Sequence, residues 1–97
     1  MSSEQREFVL SKQMLRSGTA VGALIREAEH AESKADFIHK MSIALKEANE
    51  TEYWLLLLHD SEFLENKSFQ SIVSDCQELI KMLVSIIKSS KVNNKMQ

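Results

Sequence analysis

The sequence contains no proline and only two glycines, Gly18 and Gly22. Because proline costs about 3 kcal/mol inside a helix, its absence favours long, uninterrupted helices. The single cysteine, Cys76, excludes a disulfide within one chain and is typical of a reducing compartment. The apolar run at 54–58 is too short to span a bilayer, and the polar start at 1–7 lacks a signal-peptide pattern. We therefore expect a cytoplasmic protein without membrane contact.

Neither sign of charge dominates the chain. Its 12 basic and 14 acidic residues give a formal net charge of −2, so the chain as a whole does not attract nucleic acid or acidic lipid. Binding to either would need a local basic patch. A chain of 97 residues is one domain with a single core, and we take residues 1–97 as that domain.

The most regular apolar pattern lies at 33–60, where apolar or small residues recur at alternating spacings of four and three. This spacing places them on one side of a helix over residues 34–60. Ser33 and Asp36 resemble a capping box at its start. A second apolar row widens the stripe, so this helix needs cover on more than one side. The residues of the main row are Phe37, Met41, Ala44, Ala48, Thr51, Leu55 and Leu58.

Two further helices are predicted at about 6–30 and 68–90, followed by a disordered tail at 91–97. On the third helix the expected core row is Phe69, Ile72, Cys76, Leu79, Leu83 and Ile86, with Val73, Ile80 and Ile87 one position on. The predicted fold is all-α: an antiparallel up-down bundle of the four-helix-bundle type, with three long helices in this chain.

Gly18 and Gly22 lie four residues apart inside the first predicted helix. Each costs about 1 kcal/mol relative to alanine, so a sequence that keeps both indicates a neighbouring backbone close by. We predict helix–helix packing at both positions; a hinge or a ligand approach is the alternative.

No combination of residues predicts a catalytic, cofactor or metal site. Glu27 and His30 form one Glu-x-x-His pair, whereas di-iron bundles need two such pairs and two further glutamates. His59, Asp60 and Ser61 are adjacent in sequence, whereas a catalytic triad must converge in space. Cys76 falls on an apolar row and is predicted to be a core residue. We expect a protein that is not an enzyme and has no cofactor.

The basic residues are the candidate contacts to a ligand. Lys12, Arg16 and Arg26 on the first predicted helix are placed to contact nucleic-acid phosphates, although acidic residues lie among them. Arg16 has an alternative role, as an internal partner of Glu47 or Glu52 that holds the first helix against the second. A second positive excess lies near the C-terminus, where no acid accompanies Lys81, Lys88, Lys91 and Lys95.

Several segments together resemble the four helix bundle protein family, also called the 23S rRNA intervening sequence protein family. The resemblance runs from about residue 7 to 91, with two departures. Ala20 and Leu24 stand where the family commonly has Ser and Asn, and family members usually carry a further helix before the region that matches Glu7. The segments that carry the resemblance are 15–19 (LRSGT), 36–38 (DFI), 43–48 (IALKEA) and 50–52 (ETE).

The resemblance implies a bacterial helical bundle that assembles into a ring-like homo-oligomer, a pentamer, with no catalytic role. A related group of accessory proteins in diversity-generating retroelements binds nucleic acid and a reverse transcriptase through a positively charged surface. We therefore expect a homo-oligomeric scaffold that binds RNA or DNA. The alternative is a protein–protein interaction module without a nucleic-acid role, whose protein partner occupies the face left open by the absent helix.

Overall fold

The computed structural model describes residues 2–96, with side chains up to Val92, and folds them into three α-helices. These are α1 (Ser3–Glu29), α2 (Lys34–Asp60) and α3 (Asn66–Met96), and no strand occurs in this part of the chain. The predicted all-α class is confirmed. Within residues 2–96, no helix is long and apolar enough to cross a membrane.

α2 has the bounds given above from its sequence, whereas α1 begins at Ser3 rather than 6, and α3 begins at Asn66 rather than 68 and ends later than 90. α3 continues to Met96, so the tail predicted at 91–97 is wrong for residues 91–96, and Gln97 lies outside the described residues. The physical reason is that this segment contains neither glycine nor proline, and its lysines suit the negative end of the helix dipole.

The predicted N-cap of α2 is confirmed. The backbone N–H of Asp36 donates to Ser33 Oγ at 3.0 Å, while the Asp36 carboxylate accepts from the backbone N–H of Glu32 at 3.3 Å rather than from Ser33 itself. At the other end of α2, Glu62 takes the left-handed conformation with φ 65°. The N–H of Phe63 then donates to the carbonyl of Leu58 at 2.9 Å, which closes the helix without a glycine.

α1 and α2 make contacts in reverse sequence order. Arg16 meets Glu50, near the C-terminal half of α2, whereas Glu27 meets Lys40, near the N-terminal half. The two helices therefore run in opposite directions.

α2 and α3 are paired in the same manner. The thiol of Cys76 lies 3.5 Å from the carbonyl oxygen of Ala48, and the rings of His59 and Phe69 stack with centroids 4.0 Å apart. Within the described residues, the backbones of α1 and α3 do not approach each other, so α2 is the helix that joins the other two.

The predicted α2 row forms the centre of the core. Its buried members are Met41, Ala44, Ala48, Leu55 and Leu58, while Phe37 and Thr51 are half-buried.

On α3 the predicted core row is only partly correct. Ile72 and Ile86 remain 42% and 36% exposed, whereas Val73 and Ile87, one position on, are each only 7% exposed. The side of α3 that faces α2 lies between the two predicted rows: it takes Phe69, Cys76 and Leu83 from the first row and Val73 and Ile87 from the second, and it leaves Ile72 and Ile86 at an open edge.

Among the residues that the structure describes, no close crossing occurs at the two glycines. A Cβ atom at Gly18 would lie 3.9 Å from the Cγ2 of Thr51, an ordinary contact distance, and one at Gly22 would meet nothing within 4 Å. Gly22 instead faces open space on the surface of α1.

A buried pair of hydroxyls joins α1 to α2. Ser17, which is fully buried, donates to the carbonyl of Met14 at 3.1 Å. The Thr51 hydroxyl lies 2.8 Å from both Ser17 Oγ and the Glu47 carbonyl, so its single hydrogen serves one or the other. Because one partner is fully buried, losing the hydrogen bond between helices is not compensated by water.

We expect Thr51→Val, which keeps the side-chain shape, to lower the free energy of unfolding by about 1 kcal/mol, the usual net value of one hydrogen bond. Ser17→Ala should lower it by a similar amount. Urea unfolding of both single variants and the double variant would show a combined loss smaller than the sum, because the two hydroxyls share one bond. Strict additivity would contradict the interaction.

Candidate functional site

Arg16, one of the three predicted phosphate contacts, is held by carboxylates of its own chain. Its Nη2 donates to Glu50 Oε1 at 2.6 Å, and its Nε donates to Gln13 Oε1 at 3.1 Å. Its Nη1 lies 3.6 Å from Glu47 Oε2. The alternative of an internal role is thus the one that the structure shows, with Glu47 and Glu50 rather than Glu52 as partners.

The carboxylate of Glu50 also accepts a hydrogen bond from an aromatic side chain. The indole Nε1–H of Trp54 donates to Glu50 Oε1 at 3.2 Å, and Trp54 packs edge-on against Tyr53 with ring centroids 5.1 Å apart. The hydrogen bond from Arg16, and then that from Trp54, hold the pKa of Glu50 below its ordinary value of 4.5. Arg16 thus acts mainly as a link between α1 and α2.

Lys12 lies on the exposed outer side of α1. Its Nζ lies 5.9 Å from the centroid of the Phe8 ring, close enough for a weak cation–π contact. Phe8 itself is 66% exposed. Lys12 therefore remains accessible to a phosphate group.

Arg26 is also exposed, but its surroundings are acidic. It borders a shallow depression at the turn between α1 and α2, together with Glu27, Glu32 and Asp36. Lys40 compensates part of this charge through its ion pair with Glu27 at 3.4 Å. The three predicted contacts share one side of α1 because of their spacing, yet their surroundings differ.

A groove lies above α2, between α1 and α3, with a volume of about 220 Å³. Ala48, Thr51 and Leu55 form its floor, with Gly18 on the α1 side and Ile72 on the α3 side. Beside it on α3, Met82 is 57% exposed. The groove follows from two features of the sequence: a wide apolar stripe on α2 and the lack of a side chain at Gly18 on α1.

The remaining chemical candidates do not converge. Glu27 pairs with Lys40, and no group of three His, Cys, Asp or Glu residues within the described part of the chain could hold a metal ion. Cys76 is buried, and its burial raises the pKa of its thiol, which disfavours the nucleophilic thiolate.

Sequence reasoning did not identify Glu50 as the main partner of Arg16. A signal was present, because Glu47 and Glu50 are three residues apart and so lie on one face of a helix, whereas Glu52 points elsewhere. By contrast, the spacing of residues within α1 did not predict that Phe8 and Leu15 would be 66% and 67% exposed.

The Arg16–Glu50–Trp54 contact has a measurable pH dependence. A carboxylate with a depressed pKa in the folded state contributes stability above its unfolded pKa and loses it as the pH falls through the folded value. The N–H resonance of Trp54, the single tryptophan, should therefore titrate with a midpoint below 4.5. In Arg16→Gln the midpoint should rise toward 4.5, because the largest cause of the shift is removed.

Lys12→Gln is the matched control, because it removes the same charge from the same helix without touching Glu50. Its midpoint should equal that of the wild type. Equal midpoints in Arg16→Gln and Lys12→Gln would contradict the assigned role of Arg16.

Two comparisons place the chain among known proteins, and no curated protein matches it. Residues 1–85 match the model of the 23S rRNA-intervening sequence protein family. The chain is also 62% identical to a crystal structure of a protein of unknown function from the S23 ribosomal protein family of Bacteroides thetaiotaomicron VPI-5482, with a TM-score of 0.83. The match covers 88% of this chain and 79% of that chain. Since the family model spans most of its length, the chain belongs to the 23S rRNA-intervening sequence protein family.

Proposed function

We propose that the protein is a non-enzymatic, homo-oligomeric scaffold that binds RNA and completes an antiparallel four-helix-type bundle through other copies of itself. The observation that carries the proposal is the groove of about 220 Å³ between α1 and α3, whose lining is mostly apolar and includes Ile72, which is 42% exposed. Family membership supports a ring-like assembly, for which we propose a pentamer. Lys12 and Arg26 are the proposed phosphate contacts.

The surface of α1 supports assembly by self-association. Phe8, Leu15 and Gly22 recur every seven residues and so share one side of the helix. Phe8 and Leu15 are the two most exposed large apolar residues described, and Gly22 has no neighbour in its own chain. A helix of a second copy lying along this row would bury both side chains and would approach the backbone closely at Gly22.

The accessible cations of α1 support the RNA component. Lys12 and Arg26 are both exposed, and neither has a carboxylate within 4.0 Å among the described side chains. Because both lie on the same side of α1 as Phe8, Leu15 and Gly22, we place them at the rim of the contact between copies, where symmetry repeats the pair on every subunit and weak phosphate contacts act together.

The second candidate is a protein–protein interaction module in which a helix of a different protein occupies the groove. The same apolar lining favours it, because grooves of this type accept the apolar face of an amphipathic helix. The two candidates differ in the mass of the purified protein: a multimer supports self-assembly, whereas a monomer supports a foreign partner.

We expect Gly22→Leu to reduce the assembly to smaller species without unfolding the chain. The new side chain meets nothing within 4 Å of the Cβ position in its own chain, and it gains roughly 1 kcal/mol of helix propensity. Between two copies it would hold the backbones apart. Light scattering after size exclusion gives the mass.

Asn49→Leu is the matched control, because it adds the same exposed side chain to α2. Its mass should equal that of the wild type. A multimeric Gly22→Leu would show that the interface lies elsewhere, and a monomeric wild type would overturn self-assembly.

We expect the double variant Lys12→Glu/Arg26→Glu to bind a labelled single-stranded oligouridylate more weakly, with a shallower dependence on salt, because two phosphate contacts become repulsive. Fluorescence anisotropy at several salt concentrations measures both quantities. Lys46→Glu/Lys67→Glu makes the same change of net charge away from α1 and is the control. Equal losses in the two variants would contradict the assignment of Lys12 and Arg26.

A further inference from the structure

The charge of the molecule is distributed unevenly among its helices. α1 carries four basic and four acidic residues, and α2 carries three basic and five acidic residues. α3 carries five lysines and only two acids, and both acids precede Lys81. α3 is therefore the one net-positive helix of a net-negative chain.

Lys81 and Lys88 lie on the side of α3 that faces away from the groove, and Lys91 lies one turn beyond Lys88, toward the α2 side. Together with two polar neighbours they form what we call the lysine face: Gln77, Lys81, Ser85, Lys88 and Lys91. All five side chains are exposed. At 1.5 Å per residue, Lys88 lies about 10 Å along the helix from Lys81 and about 4.5 Å from Lys91.

On the basis of the function proposed above, we propose that this lysine face is a second phosphate-binding surface, which holds the sugar–phosphate backbone of the RNA more strongly than α1 does. It extends the contact made by Lys12 and Arg26 to another helix. The next three observations support it.

The ammonium groups of the lysine face are not occupied by carboxylates. Among the described side chains, ion pairs join Arg16 to Glu50 and Lys40 to Glu27, whereas no carboxylate lies within 4.0 Å of Lys81, Lys88 or Lys91. A lysine without a local counterion can release the mobile ions of a phosphate and take their place.

The face has the chemical composition of a backbone-contacting surface. Its two other members, Gln77 and Ser85, carry an amide and a hydroxyl, and both groups commonly donate hydrogen bonds to phosphate oxygens. Val92, four residues after Lys88, is the exposed apolar side chain beside the face, and a single such residue does not make the apolar face with which an amphipathic helix enters a membrane.

The position of α2 strengthens the local field. Because α2 and α3 run in opposite directions, the lysine face lies beside the N-terminal half of α2. That end of a helix carries a partial positive charge, and Lys34 follows its N-cap directly, with Asp36 as the one acid of that half of α2. The acidic residues of α2 lie mostly in its other half, as Glu47, Glu50, Glu52 and Asp60.

The proposal has a quantitative consequence. Each phosphate neutralised on a single strand contributes about 0.7 to the slope of log K against log salt concentration. In the triple variant Lys81→Gln/Lys88→Gln/Lys91→Gln, the magnitude of this slope should therefore be smaller by about 2 per RNA-bound subunit. Glutamine has nearly the helix propensity of lysine, so the fold should be retained, and circular dichroism checks this.

The experiment measures binding of a labelled single-stranded oligouridylate by anisotropy across a salt series. It compares the wild type, the α3 triple variant, the α1 variant Lys12→Gln/Arg26→Gln and the control Lys46→Gln/Lys67→Gln. We expect the largest loss of affinity and slope in the α3 triple variant, a smaller loss in the α1 variant and little change in the control.

Each other outcome has a defined meaning. An α3 triple variant that binds like the wild type, while the α1 variant is impaired, would overturn the lysine face and leave RNA binding by α1 intact. If the control lost as much RNA affinity per lysine replaced as the triple variant, the assignment of the lysine face would be overturned, because net charge alone would explain binding. A wild type without affinity for RNA at low salt would overturn both the lysine face and the RNA component of the proposed function.

Discussion

The fold depends on covering the apolar stripe of α2. Leu55 and Ala44 are completely buried, and Ala48 is nearly so, although they belong to a helix of a chain of only 97 residues. One neighbouring helix cannot cover so wide a stripe. α1 therefore packs on one flank and α3 on the other, and the direction of each follows from the short turns that connect them. The groove lies above this stripe, between the two neighbours, and its exposed apolar side chain is Ile72 of α3.

Polar contacts determine how α1 lies on α2. The hydrogen bond between Ser17 and Thr51 fixes the position of α1 on α2 at the middle of the interface. Arg16, the residue before Ser17, forms an ion pair with Glu50 at the edge of the same contact. Small side chains at this contact let the two helices come close, and the carboxylate–guanidinium contact covers the edge. Arg16 is thereby committed to structure, which removes one of the three cations that the sequence placed on a ligand-binding surface.

The parts that could be predicted from the sequence are those governed by local periodicity. The α2 row and the Ser33 cap were recognisable because each depends on residues within one or two turns. The orientation of α3 was not, because two parallel apolar rows, one with Ile72 and one with Val73, fit a helix equally well. Only contact with α2 decides which members of each row are buried: Phe69, Cys76 and Leu83 of the first, and Val73 and Ile87 of the second. For the same reason, Gly22 was expected to face a neighbour in its own chain.

The position of Gly22 bears on the assembly as a whole. A glycine inside a helix is unfavourable by about 1 kcal/mol, and within this chain nothing near Gly22 compensates for that loss. Phe8 and Leu15, on the same side of α1, likewise leave apolar area in contact with water. All three features become favourable together when a second helix lies along this row. Packing along α1 would leave the lysine face uncovered, because that face belongs to α3, so self-assembly and phosphate binding by α3 can occur on different surfaces of the same subunit.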